Sequence, residues 1–244
     1  ILEAFERAGV DYQEPFCVVA HERFYLKKDG TIATAMPMRQ TLTSWNLIYG
    51  AMRRHFPQQQ YHQSKTLTEV IQDDEQITAI FADGTSDTGD LLIGADGANS
   101  TVRKLLLPGN EPKYAGYVAY RGLVDEKELD KQTAAMFTER FVFHQFPNSH
   151  ILQYLIPGEN ESLVPGERRF NWVWYVNYDE TTELTPILTD KNGKHRDYSI
   201  PPGTIAPEVE QQMRLYSNQV LTPPFQRLVA ATKEPFVQAI LDLT

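Results

Sequence analysis

The stretch Leu91-Leu92-Ile93-Gly94-Ala95-Asp96-Gly97-Ala98-Asn99-Ser100-Thr101-Val102-Arg103-Lys104 decides how this chain is to be read. A short, unbroken apolar run predicts a strand covered on both faces, as in the parallel sheet of an α/β domain. Two glycines then predict a tight turn, and Ser100 stands where a helix running toward Leu107 would take its N-cap. A strand, a turn and a capped helix leave backbone N–H groups free beyond the strand's C-terminal end. Arg103 and Lys104 add positive charge, so the expected guest carries a pyrophosphate or a nucleotide. On shape alone, an ordinary βα loop with a good cap fits the same residues, because short glycine motifs are common.

Composition narrows the classes around this stretch. With 244 residues, 41% of them hydrophobic, the chain can bury a sizeable core in one large domain or two small ones. Its 32 acidic residues against 23 basic ones leave a net charge of -9, which argues against a nucleic-acid partner, since neutralising phosphates needs a basic face. No apolar run approaches the roughly 18 to 20 residues that span a bilayer, and the opening residues lack a secretory pattern. One cysteine, Cys17, cannot close an internal disulfide, and no Cys/His cluster has zinc spacing. A reducing, cytoplasmic setting without a metal is therefore expected. The first ten residues read as a helix already in progress and the last as an apolar stretch without a closing signal, so the chain is expected to be the middle piece of a longer polypeptide.

Outward from the glycine turn, a β-hairpin is predicted from Tyr12 to Met38 around Lys28-Asp29-Gly30. A helix follows, capped by Thr43 or Ser44, with Trp45, Ile48, Tyr49, Met52 and Phe56 as the packed face and Pro57 as its stop. Short strands are predicted over Tyr61 to Leu67, Thr68 to Gln72 and Gln76 to Ala82. Beyond Pro112 the text turns aromatic. Tyr117 to Leu123, Ala135 to Phe146, His150 to Ile156 and Arg169 to Tyr178 read as four strands of an antiparallel sheet. The last alternates most clearly, with Phe170, Trp172, Trp174, Val176 and Tyr178 on one face. Helices are predicted over Thr181 to Asp190, Pro207 to Asn218 and Pro224 to Ala231.

Beyond these local readings, Gly94 to Arg103 (GADGANSTVR) resembles the second fingerprint of the flavin-dependent aromatic hydroxylases, and the likeness extends through TSWNLIYGAMRRHF, YHQSK, ADGT and YAGYVAYRG. The resemblance implies an α/β plus α+β architecture. Residues 1–111, with a hairpin excursion near 12–38, would belong to a Rossmann-like FAD-binding domain. Residues 112–234 would form an antiparallel-sheet substrate domain, and 235–244 would return to the first domain. The family's N-terminal GxGxxG and C-terminal Gly-Asp motifs do not occur here, so the chain alone is expected to hold flavin weakly.

The implied activity is hydroxylation of an aromatic or N-heteroaromatic ring with FAD, NAD(P)H and O2, through a flavin hydroperoxide. Asp96 and Gly97 would border the FAD ribose and pyrophosphate, and Arg103 would lie nearer the reductant's phosphates. Trp45 would touch the flavin side, where many relatives place Arg or Gln. Tyr117, Tyr120 and Arg121 would face the substrate, with His144 and Gln153 as polar anchors. Each has a plainer counterpart: Asp96 as a turn cap, the aromatics and His144 as ordinary core. A homodimer is compatible with the resemblance. Two rivals stand beside it, a halogenase or oxidase on the same domains, and a non-catalytic β-rich binding module whose glycine turn is only architectural.

Overall fold

The computed structural model describes residues 2–10 and 17–243. The predicted start of the hairpin at Tyr12 lies outside the described residues. The strands are β1 Val18–Leu26, β2 Ile32–Leu42, β3 Leu67–Gln72, β4 Ile77–Phe81, β5 Ser86–Gly89, β6 Lys113–Asp125, β7 Arg140–Phe146, β8 Ser149–Ile156, β9 Arg169–Asn177, β10 Ser199–Ile200 and β11 Phe236–Asp242. The helices are α1 Leu2–Arg7, α2 Trp45–His55, α3 Thr101–Leu106, α4 Lys131–Phe137, α5 Leu184–Ile187, α6 Pro207–Val220 and α7 Pro223–Ala231. They form two compact units, Ile1–His55 with Gly116–Ile240, and Phe56–Ala115 with Leu241–Thr244.

In the first unit an eight-stranded sheet runs in the order β10-β11-β6-β9-β8-β7-β1-β2. The aromatic strands pair antiparallel as expected, β6 with β9, β9 with β8 and β8 with β7. Beyond those four strands the sheet is extended by the hairpin: β1 runs parallel to β7, with Phe24 opposite Val142. Since no short turn links these two strands, nothing in the connection forces them antiparallel. The β1–β2 turn forms where predicted, with Asp29 Oδ1 accepting from the Thr31 amide at 2.9 Å and Gly30 at φ +86°.

Strand β9 sets the two faces. Phe170, Trp172 and Trp174 are fully buried, and helices α4, α6 and α7 pack over them. Phe137 of α4 meets Phe170 and Phe225, and Trp174 stacks on Tyr216 of α6. The Trp172 indole donates to Thr232 Oγ1 at 2.8 Å, so its one polar atom is satisfied inside the core. The opposite face, carrying Tyr117, Arg121, Tyr154 and Tyr175, is only half-buried.

Several predicted elements come out differently. Ala135 to Phe146 is not one strand: Asp130 caps α4 by accepting from the Thr133 amide, Glu139 turns the chain at φ +56°, and β7 begins at Arg140. The turn carries Phe137 into the helix layer, where it is fully buried. The helix expected over Thr181 to Asp190 shrinks to α5, because Asp179 Oδ1 draws the Thr181 and Thr182 amides into a turn instead. In α2, Ser44 Oγ accepts from the Leu47 amide as expected of a cap, but the packed side is Leu47 and Ala51 against Phe5 and Val10. Of the face predicted to pack, only Ile48 joins that cluster; Trp45, Tyr49 and Met52 are exposed.

The second unit is a meander, β3-β4-β5, followed by α3. Residues 61–66 form no strand. Leu91 to Ile93 is likewise not a strand, and Leu91 and Ile93 are each 76% exposed. A strand exists only where a neighbour supplies the ladder, and no described segment pairs with this one.

Gly122 of β6 leaves no room for a side chain, since a Cβ there would lie 2.5 Å from Thr232 Cγ2 and 2.7 Å from Trp172 Nε1. Gly122→Ala is expected to displace the Trp172–Thr232 bond and destabilise the chain by about 2–3 kcal/mol, read as a lowered urea midpoint.

Candidate functional site

The glycine turn in the second unit is built from its own side chains. Asp96 Oδ2 accepts from the amides of Thr101 at 2.6 Å and Val102 at 3.1 Å, and Ser100 Oγ accepts from the Arg103 amide at 3.0 Å. The first-turn donors expected to stand free for an anion are thus occupied, because two capping side chains sit at the right offsets. The Ser100 hydroxyl, then the amides, hold the Asp96 carboxyl below the usual carboxylate range. Gly97 has φ +77°, which only glycine adopts without strain, and a Cβ on Gly94 would lie 2.9 Å from Val102. Arg103 donates from one terminal nitrogen to the Ala98 carbonyl at 2.6 Å, while its buried Nε has no acceptor. Asp96, Gly97 and Arg103 are therefore gathered at one turn. Asp96→Ala is expected to speed amide exchange at Thr101 and Val102 about tenfold through loss of the cap, measured by hydrogen exchange.

In the first unit the predicted pocket residues divide between the faces of the sheet. Tyr120, His144 and Gln153 point into the helix-covered core, with exposures of 1%, 3% and 0%. The Tyr120 hydroxyl lies 3.2 Å from that of Tyr178. Gln153 donates to the carbonyls of Phe137 and Arg140, bracing the junction of α4 and β7. Tyr117 and Arg121 stand on the other, half-buried face. There Tyr117, Asn148, Ser149, His150, Leu152, Tyr175, Asn177 and Ile240 line an open cavity of about 510 Å³. Tyr117 meets Tyr175 edge-on at 5.8 Å, and the His150 ring lies 4.7 Å from that of Tyr175. Trp45 is 78% exposed on α2. Sequence reasoning passed over His150, Tyr175 and Tyr154. The signal was available in the alternation of β9, whose odd positions share the Tyr117 face.

Among the core polar groups, His144 has the clearest electrostatic consequence. Burial, then the nearby Lys28 charge, push its pKa down to about 4. The unfolded chain, with an ordinary histidine near 6.5, binds this proton more readily than the folded one. The neutral ring's contribution is therefore complete above pH of about 6.5 and is lost as pH falls toward about 4. Burial lowers His150 in the same direction. Between pH of about 6.5 and 4.5, urea stability is expected to fall by on the order of 2 kcal/mol, with a shallower fall in His144→Leu.

The chain belongs to the FAD binding domain-like family, whose match covers residues 114–242. It is 34% identical over 210 residues to the 2,6-dihydroxypyridine 3-monooxygenase of Paenarthrobacter nicotinovorans, covering 86% of this chain and 52% of that protein. The 6-hydroxynicotinate 3-monooxygenase of Bordetella bronchiseptica is 35% identical over 100 residues, which is 41% of this chain and 25% of that one. Among solved structures, 2,6-dihydroxypyridine-3-hydroxylase from Arthrobacter nicotinovorans superposes with a TM-score of 0.91 at 31% identity, over 100% of this chain and 61% of that one. Klebsiella pneumoniae HpxO, complexed with FAD and uric acid, gives a TM-score of 0.71 at 19% identity, over 99% of this chain and 57% of that one, a likeness of fold. The chain thus spans about half the length of the first of these curated relatives. Among the described residues, no helix is long and apolar enough to cross a membrane.

Proposed function

We propose that this chain is part of an FAD-dependent monooxygenase that hydroxylates an aromatic or N-heteroaromatic ring with NAD(P)H and O2. The observation that carries the reading is the TM-score of 0.91, at 31% identity across 100% of the chain, to a dihydroxypyridine hydroxylase. In this reading residues 1–111 and 235–244 contribute to the flavin-binding part and 112–234 to the substrate part, in the cytoplasm and as a homodimer.

The residues of the glycine turn fit a contact with FAD at its edge. Gly94, Ala95, Gly97 and Ala98 are small enough to let a flat group reach the backbone, and the Arg103 side chain, whose buried Nε lacks an acceptor, is left for the reductant's phosphates. Asp96 is already engaged, so its part is to hold the turn, with Gly97 as the point of closest approach. When bound and reduced by NAD(P)H, FAD would activate O2, one oxygen atom entering the ring and the other leaving as water. The sheet's share is to hold the ring flat and exclude water: Tyr117 and Tyr175 supply aromatic walls, and His150 and Asn177 supply polar contacts. Tyr120 and His144 act from behind the sheet, fixing the wall rather than touching the ring. Trp45, exposed on α2, offers a stacking surface to the flavin side.

The test uses the FAD-loaded protein that contains this chain. Added 2,6-dihydroxypyridine or a related ring should stimulate NAD(P)H oxidation and give a product heavier by one oxygen. A protein that takes up no FAD, or that consumes NAD(P)H without an oxygenated product, would falsify the reading. In the same assay Arg103→Ala is expected to raise the NAD(P)H KM about tenfold or more with kcat little changed, through loss of a charge-assisted contact.

A further inference from the structure

Arginines in the first unit are mostly spoken for. Arg140 meets Glu22, Arg168 meets Glu126, Arg196 meets Asp190 and Arg214 meets Glu210, each between 2.6 and 3.0 Å. Arg23, on the same half-buried face as Arg121, donates to Gln40 and lies over the rings of Phe141 and Phe143. Arg121 differs from all of these. Its buried Nε lacks an acceptor, as that of Arg23 does, but among the described residues Arg121 makes no ion pair and no hydrogen bond with any of its nitrogens. A half-buried guanidinium with an unmet donor is costly to keep, and a negative partner would satisfy it.

The pairing register shows where such a partner would sit. Arg121 stands opposite Val173, and Val173 stands opposite Leu152, so the three form one row across β6, β9 and β8. Leu152 and Tyr175 line the cavity that Tyr117 and His150 share, which puts Arg121 at the end of a row that begins in that cavity. The Arg121 charge is also felt at the phenol of Tyr154, a half-buried residue of the same face. No carboxylate lines the cavity. A flat ring lying over Leu152 and Val173, edged by Tyr175, would direct a peripheral substituent toward the guanidinium.

We propose that Arg121 is the specificity-determining residue of this cavity: it selects planar aromatic ligands that carry one negative charge, as a ring oxyanion or a ring carboxylate, over neutral isosteres. The inference rests on the cavity taking the aromatic substrate of the proposed reaction.

The test measures binding to the full chain by calorimetry at pH of about 8, without flavin, using 4-nitrophenolate, benzoate and nitrobenzene. Arg121→Gln is expected to weaken both anions at least tenfold and to leave nitrobenzene unchanged, while Arg121→Lys recovers part of the loss. Loss for only one of the anions assigns the site to the other's opposite, oxyanion or carboxylate. Unchanged anion affinity in Arg121→Gln overturns the proposal, as does a parallel loss for nitrobenzene or an absence of anion binding in the unaltered chain. Arg121→Met, which keeps the apolar stem, takes the place of Arg121→Gln if that variant does not fold. Flavin uptake is measured separately on the protein that contains this chain. Arg121-dependent anion binding without flavin uptake would remove the monooxygenase reading and leave the anion site standing, and the reverse pattern would remove only the anion site.

Discussion

The period-two alternation of β9 is the constraint on which the rest of the large unit depends. Phe170, Trp172 and Trp174 must face the helices because each is fully buried there, and this commits Asn171, Val173 and Tyr175 to the other side. A slip of one residue would exchange the faces and place two indoles where Tyr175 now borders the cavity. The Trp172–Thr232 bond and the missing side chain at Gly122 fasten that choice, since only one register brings the indole nitrogen to the end of α7. From it follow the helix layer over one face and the semi-open aromatic surface on the other.

Legibility in the sequence followed how local each signal was. The faces of β9, the turn at Asp29-Gly30, the Ser100 cap and the starts of α6 and α7 near Pro207 and Pro223 rest on neighbours within a few residues, and the structure has them. Features needing a distant partner read less well. Leu91 to Ile93 has the composition of a buried strand yet no described segment to pair with, and Trp45, Tyr49 and Met52 have helical spacing yet lie away from Phe5 and Val10. Ala135 to Phe146 reads as one strand because β-prone residues flank the turn at Glu139, while the helix cap that gives α4 away, Asp130, lies five residues before Ala135.

The candidate site was legible in kind and less so in membership. Tyr120 and Arg121 are neighbours in sequence and so face opposite sides of the sheet, one in the core and one at the cavity row. A motif read as a block cannot make that distinction, whereas a strand read residue by residue can. Asp96 shows the same limit from another direction. Its carboxylate is recognisable by position, but only the distances to Thr101 and Val102 show that the turn consumes its own donors.

The parallel pairing of β1 with β7 bears on how the chain is made. Glu22 and Arg140, which face each other across that pair, are 118 residues apart. The Phe56–Ala115 segment of the second compact unit is encoded between them. During synthesis the β1–β2 hairpin therefore emerges long before the strand that covers its flank, and closing so large a loop makes this contact entropically late. In the meantime the hairpin must resist pairing with other chains. Strand β2 is suited to that wait: it is an edge strand in the finished sheet and carries Pro37, which cannot donate to a ladder, followed by Arg39.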